Sequence, residues 1–150
     1  MAQALEQEIP LLLASARALL RNETDARDVV QTTLEIAMRK AGELREPAAL
    51  RPWLLTIQVR EAFRLRRRVA RLVHFEPVRE ASLPGPDADV VALRVALQDL
   101  SPRCRTAVTL HYLADLSVAE VARVMGISPN TAKEHLKVGL ARLREELTDD

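Results

Sequence analysis

The chain has 150 residues, 22 Lys and Arg against 21 Asp and Glu, and an apolar share of 48% to which aromatics add only 3%. That length suits one domain or two small ones, and a composition rich in Ala, Leu, Arg and Glu favours helix. No apolar run approaches a membrane span, so no membrane insertion is expected; Ile9–Ala14 is too short for a secretory core and lacks a basic lead-in.

The lone cysteine, Cys104, excludes an internal disulfide and fits a reducing cytoplasm, where it reads as a small apolar residue on a helix. His74, His111 and His135 share no metal-ligand spacing with one another or with Cys104. There is no phosphate-binding glycine loop and no nucleophile motif. No catalytic residue, metal or cofactor is therefore expected, and the chain reads as a non-enzyme.

In chain order, the first block reads as three helices. One runs from about Gln3 to Arg21. The second starts with Thr24 as N-cap, ahead of Asp25 and Asp28, where negative charge suits the helix dipole. Its apolar positions Ala26, Val29, Val30, Leu34 and Ala37 recur at helical spacing, and Gly42 is expected to end it. The third begins near Pro47 and carries Trp53, Leu54, Ile57 and Phe63 into a basic cluster of Arg60, Arg64, Arg66, Arg67, Arg68 and Arg71. Such a cluster can bind phosphate, and it can equally be a solvated helix end.

From Val73 to Asp87 the periodicity fails. This stretch holds three of the eight prolines and is acidic where the helix before it is basic, so it reads as an irregular linker. The expected organisation is all-α, with two small helical domains at 1–72 and 88–150 joined by 73–87.

The second block reads as four helices. One lies near Asp87–Leu100. The next is capped by Ser101 with Pro102 behind it, the third by Ser117 with Glu120 three residues on, the fourth by Ser128 with Pro129 behind it. The spacing from Val118 to Leu136 fits a helix-turn-helix. Val121, Met125, Ile127, Ala132 and Leu136 would be buried between the two helices, Ala122 would allow a close crossing, and Gly126 suits a turn with positive φ. Ala132, Leu136, Leu140, Leu143 and Leu147 form the expected buried stripe of the last helix. That leaves Asn130, Thr131, Lys133, Glu134 and Lys137 outward in its first two turns, where a recognition helix meets base edges and phosphates. A plain αα-hairpin with a solvated face is the competing reading.

At this point "LSPRCRTAVTLHYLADLSVAEVARVMGISPNTAKEHL" resembles region 4 of sigma factors, and "DARDVVQTTLEIAMRK" with "LRPWLLTIQVREAFRLRRR" resembles region 2. The two blocks in this order are similar to the extracytoplasmic-function (group IV) sigma factors. The resemblance implies that Asp25, Asp28 and Gln31 meet the β′ clamp helices of RNA polymerase core, and that region 4 meets the β flap. It implies further that the Gly42–Pro47 loop lies where a −10 base is captured, that Arg60, Arg64, Arg67 and Arg68 track promoter DNA, and that an anti-sigma factor is a partner.

The sequence also departs from the family. Aromatics usual near Ala37–Met38 and near Leu44 are missing, Arg60 stands for an asparagine, and Val138 and Leu140 stand for arginines. Two alternatives stay open: a sigma-like regulator that holds polymerase or an anti-sigma factor without initiating transcription, and a LuxR-like helix-turn-helix regulator.

Overall fold

A computed structural model describes residues 1–72 and 88–148; the expected linker lies outside the described residues. Among the described residues every regular element is helical. Seven α-helices follow one another: α1 (Ala2–Leu19), α2 (Glu23–Arg39), α3 (Leu50–Leu72), α4 (Ala88–Gln98), α5 (Pro102–Val108), α6 (Val118–Met125) and α7 (Pro129–Thr148).

In the first half α1, α2 and α3 pack on one another. Leu12, Ala16, Ala26, Val29, Ala37, Leu54 and Leu55 are buried between them. Gln58, fully buried, donates from Nε2 to the Leu12 carbonyl at 3.0 Å and so ties α3 to α1. Two boundaries differ from the sequence reading. Asn22, not Thr24, caps α2, its Oδ1 accepting from the Asp25 N–H at 3.1 Å. Asn is at least as good a cap as Thr, and starting two residues earlier brings Glu23 onto both Arg17 (2.8 Å) and Arg27 (3.0 Å). Gly42 does not end α2 either. The helix stops at Arg39, and Gly42 sits inside a 3₁₀ turn, Ala41–Glu43, without a positive φ. Pro47 opens a second 3₁₀ turn, Pro47–Ala49, that leads into α3.

In the second half α5, α6 and α7 each start on a side-chain cap within reach of the helix's own first turn. Ser101 Oγ accepts from the Cys104 N–H at 3.3 Å. Ser117 and Glu120 close a reciprocal capping box at 3.1 and 3.0 Å, and Ser128 Oγ accepts from the Thr131 N–H at 3.1 Å. α5 runs on into a π turn, Thr109–Leu113, whose exit is held by the Leu116 carbonyl at 2.8 Å from His111 Nδ1. α6 ends at Gly126 with φ 68°, a left-handed conformation that side chains with a Cβ adopt at a cost of about 1–2 kcal/mol.

Helix α7 lies across α4, α5 and α6. Its buried stripe is Ala132, Leu136, Gly139 and Leu143. Leu140 is half-buried and Leu147 is 44% exposed, so the stripe ends before Leu147. Gly139 was not expected in it. A Cβ there would lie 2.7 Å from Val108 Cγ2, so the glycine lets α7 press directly on α5.

The two halves also touch. α3 packs on α6, and α1 packs on α4, α5 and the π turn, so the buried apolar residues of both halves form one core. An open cleft of about 460 Å³ marks the seam, with Glu8, Arg51, Asp115 and Glu120 among its walls.

Candidate polymerase and promoter interfaces

The capped turn at Ser128 aims the first two turns of α7 away from the core. Asn130, Thr131, Lys133, Glu134 and Lys137 are all exposed, while Ala132 and Leu136 between them are buried. Ser128 Oγ donates to Thr131 Oγ1 at 2.9 Å, which leaves the threonine proton for an outside acceptor. Lys133 and Lys137 stand one turn apart and make a basic edge; Glu134 adds a carboxylate acceptor beside it. Two cations for phosphates and one acceptor for a base donor suit groove recognition. Val138, next along, is 49% exposed and interrupts the basic edge.

On α2 the structure exposes Asp28 and Gln31 and half-buries Asp25. Gln31 Nε2 donates to Glu35 Oε1 at 3.3 Å, so the exposed polar stripe runs Asp28, Gln31, Glu35. Glu35 was missed in the sequence, although it lies one turn beyond Gln31 on the same face. Beneath it, Thr33 and Ala37 are buried against the core.

The arginines of α3 divide into two sets. Arg60, Arg64, Arg67 and Arg68 are exposed and, four, seven and eight residues from the first, share one side of the helix. Arg64 Nη1 pairs loosely with Glu61 at 3.5 Å. Arg66 turns the other way and is half-buried; desolvation, then the Arg21 charge, holds its pKa below the usual arginine range. Spacing alone did not show that Arg66 leaves the set.

The segment 41–47 lies beside the end of α2. Arg45, Glu46 and Pro47 are exposed there and Leu44 is half-buried. Ala37 belongs to the core, whereas Met38 is 63% exposed. An apolar side chain thus stands free where a stacking surface was sought, but it is a thioether and not a ring. Among the described residues no group of three or more His, Cys, Asp and Glu gathers as metal ligands, and no helix is long and apolar enough to cross a membrane.

Comparison with known proteins adds the decisive observation. A family model described as sigma-70 region 2 matches residues 4–72, and one described as sigma-70, region 4 matches residues 91–143. The chain belongs to the sigma-70 family, in its extracytoplasmic-function group. It is 29% identical to RNA polymerase sigma factor SigV of Bacillus subtilis, over 90% of this chain and 83% of that protein. It is 33% identical to ECF RNA polymerase sigma factor SigM of Mycobacterium tuberculosis, over 85% of this chain and 67% of that protein. Its fold matches the sigma factor RpoE of Bartonella quintana, solved in complex with the anti-sigma factor NepR, with a TM-score of 0.87 and 28% identity. That match covers 99% of this chain and 97% of the other, so it includes the placement of one half against the other.

In region terms, the α2 stripe and the α3 arginines fall in region 2, and the exposed polar face of α7 falls in region 4. One residue outside both faces was missed by sequence reading. Arg105 is 3% exposed and sits where the halves meet, with its pKa lowered to about 10 by desolvation, then by the charges of Arg66 and Arg21. It stays a cation near neutral pH, and a buried cation must be met by acceptors.

Proposed function

We propose that this protein is a sigma factor that directs RNA polymerase core to specific promoters. In this reading 1–72 is the region 2 domain, 73–87 the linker and 88–150 the region 4 domain. Asp25, Asp28 and Gln31, extended by Glu35, meet the β′ clamp helices, and region 4 meets the β flap. Arg60, Arg64, Arg67 and Arg68 follow the DNA backbone near the −10 element. Asn130, Thr131, Lys133, Glu134 and Lys137 read the −35 element. The protein performs no chemistry of its own and works with polymerase in the cytoplasm. An anti-sigma factor is its proposed regulatory partner, as NepR is for the Bartonella protein.

One observation carries the reading. Both family regions are present, and the side chains that would work in each, apart from the half-buried Asp25, are on its solvent face. A lone helix-turn-helix regulator would leave α1–α3 without a purpose. Reconstitution with core polymerase on a promoter library tests the proposal: discrete start sites that need this chain support it, and their absence with stable core binding overturns it.

The scarcity of exposed aromatics favours a second reading. Tyr112, 56% exposed, lies on the π turn of region 4 and not in the 41–47 segment. A chain with no ring where extruded bases would stack can hold polymerase yet open DNA poorly. Core binding without transcripts on linear templates, relieved on pre-melted ones, would establish this form.

A further inference from the structure

The contact between the halves is made by polar groups as well as apolar ones, and its geometry is directional. Helix α1 ends at Leu19, so the carbonyls of its last turn have no partner within the helix. Two side chains from the other half reach them. Gln98 Nε2 donates to the Ala18 carbonyl at 3.1 Å, and Arg105 Nη1 donates to the Leu19 carbonyl at 3.2 Å. The rest of the Arg105 fork is spent on the end of α4: Nε to Leu97 at 2.8 Å, Nη2 to Gln98 at 3.0 Å and to Leu100 at 2.9 Å. Arg21 completes the junction from the first half with a long contact, 3.5 Å, to the Gln98 carbonyl. One buried guanidinium thus joins the C-terminal ends of two helices, and a cation at such ends also suits both helix dipoles.

The size of this closed form conflicts with its task. A compact chain of 150 residues has a radius of gyration of about 15 Å, hence a diameter of about 40 Å. The −10 and −35 elements are named for centres about 25 base pairs apart, or roughly 85 Å of B-DNA at about 3.4 Å per pair. The closed body cannot reach both. Residues 73–87 can span at most about 50 Å, enough for two separated halves to do so.

We propose that Arg105 and Gln98 form an intramolecular latch on the end of α1 that keeps the free protein closed, and that releasing it precedes simultaneous engagement of both promoter elements. The latch itself is a property of the free chain; the second clause rests on the sigma-factor reading above.

The test measures one distance and one activity on the full-length chain. Spin labels at Glu43→Cys and Glu145→Cys, both exposed, in a Cys104→Ala background report the separation of the halves by pulsed dipolar spectroscopy. The unmutated latch should give a short, narrow distribution. Arg105→Lys keeps the charge but not the fork, and should lower the closed-to-open ratio tenfold or more; Gln98→Ala, which removes one neutral bond, should lower it about fivefold. Gln98 is only half-buried, so its variant should keep wild-type helicity by circular dichroism and remain informative if Arg105→Lys fails to fold. A broad distribution in the parent, or an unchanged one in Gln98→Ala, overturns the latch. Longer distances in the variants together with higher run-off transcription at limiting core polymerase support both clauses. Longer distances with unchanged transcription overturn the gating clause. If no form transcribes, the latch stands on the distances and the sigma-factor reading fails.

Discussion

The two halves of this molecule are specified in different ways. In the second half, helix starts are set by side chains three residues from their targets: Ser101 on Cys104, Ser117 on Glu120, Ser128 on Thr131. In the first half α2 has a local cap too, Asn22 on Asp25, but other bonds that fix the helices cross long stretches of chain, as with Gln58 on Leu12 and Arg51 on Glu8 at 2.9 Å. Local caps define where a helix begins whatever it packs on. Long-range ties define how helices pack and leave their ends to be decided by the assembled core. Region 4 is therefore the easier half to recognise and region 2 the more dependent on tertiary burial.

Single substitutions can break this contrast. Leu54 is fully buried, and Leu54→Ala should cost about 2–5 kcal/mol, read as a lower urea midpoint by fluorescence of Trp53, the one tryptophan. A loss under 1 kcal/mol would show that the first half does not rest on that core. On α7, Gly139→Ala should destabilise by about 1–3 kcal/mol through its contact with Val108, although alanine is the better helix former. Stabilisation instead would mean that α5 yields easily. Ser117→Ala should cost about 1 kcal/mol. Whether that loss appears in the Trp53 transition tells how tightly the halves unfold together.

The working faces allow a sharper comparison. The pair Asp28→Ala with Gln31→Ala should weaken core polymerase binding in pull-down by about tenfold with helicity unchanged, because both side chains are exposed and carry no core contact. On the recognition face, Glu134→Ala should relax preference at one base pair by about 1–3 kcal/mol. Lys133→Ala should weaken all sequences alike and reduce the salt slope by about 1. Equal, sequence-independent losses for both would remove Glu134 as a base reader.

The smallest expected effect concerns acid. The hydrogen bond from Arg17, helped by Arg27 and opposed by burial, holds the Glu23 carboxyl below the usual carboxylate range. A depressed carboxylate contributes stability above its unfolded pKa and loses it as pH falls through the folded value. Glu23→Gln should therefore lower stability at neutral pH and leave it almost unchanged at a pH below both values.

By itself the sequence determined the helical class, the helix starts of the second half, the turn at Gly126 and the outward face of α7. Each of these depends on residues within about one turn of one another, and their chemistry is readable without a partner. It did not determine the cap of α2, since Asn22 and Thr24 both qualify and the choice fell to the one that gave Glu23 its two arginines. Nor did it show the inward turn of Arg66, the close approach at Gly139, or the release of Leu147 to solvent. Arg105 is the clearest case. In sequence it is one more arginine on a helix; three of its acceptors come from the nearby end of α4, and the Leu19 carbonyl, 86 residues away, makes it a junction between the halves. Burial is decided by what other segments bring to a position, and a guanidinium can leave water only where the assembled fold supplies acceptors for its fork.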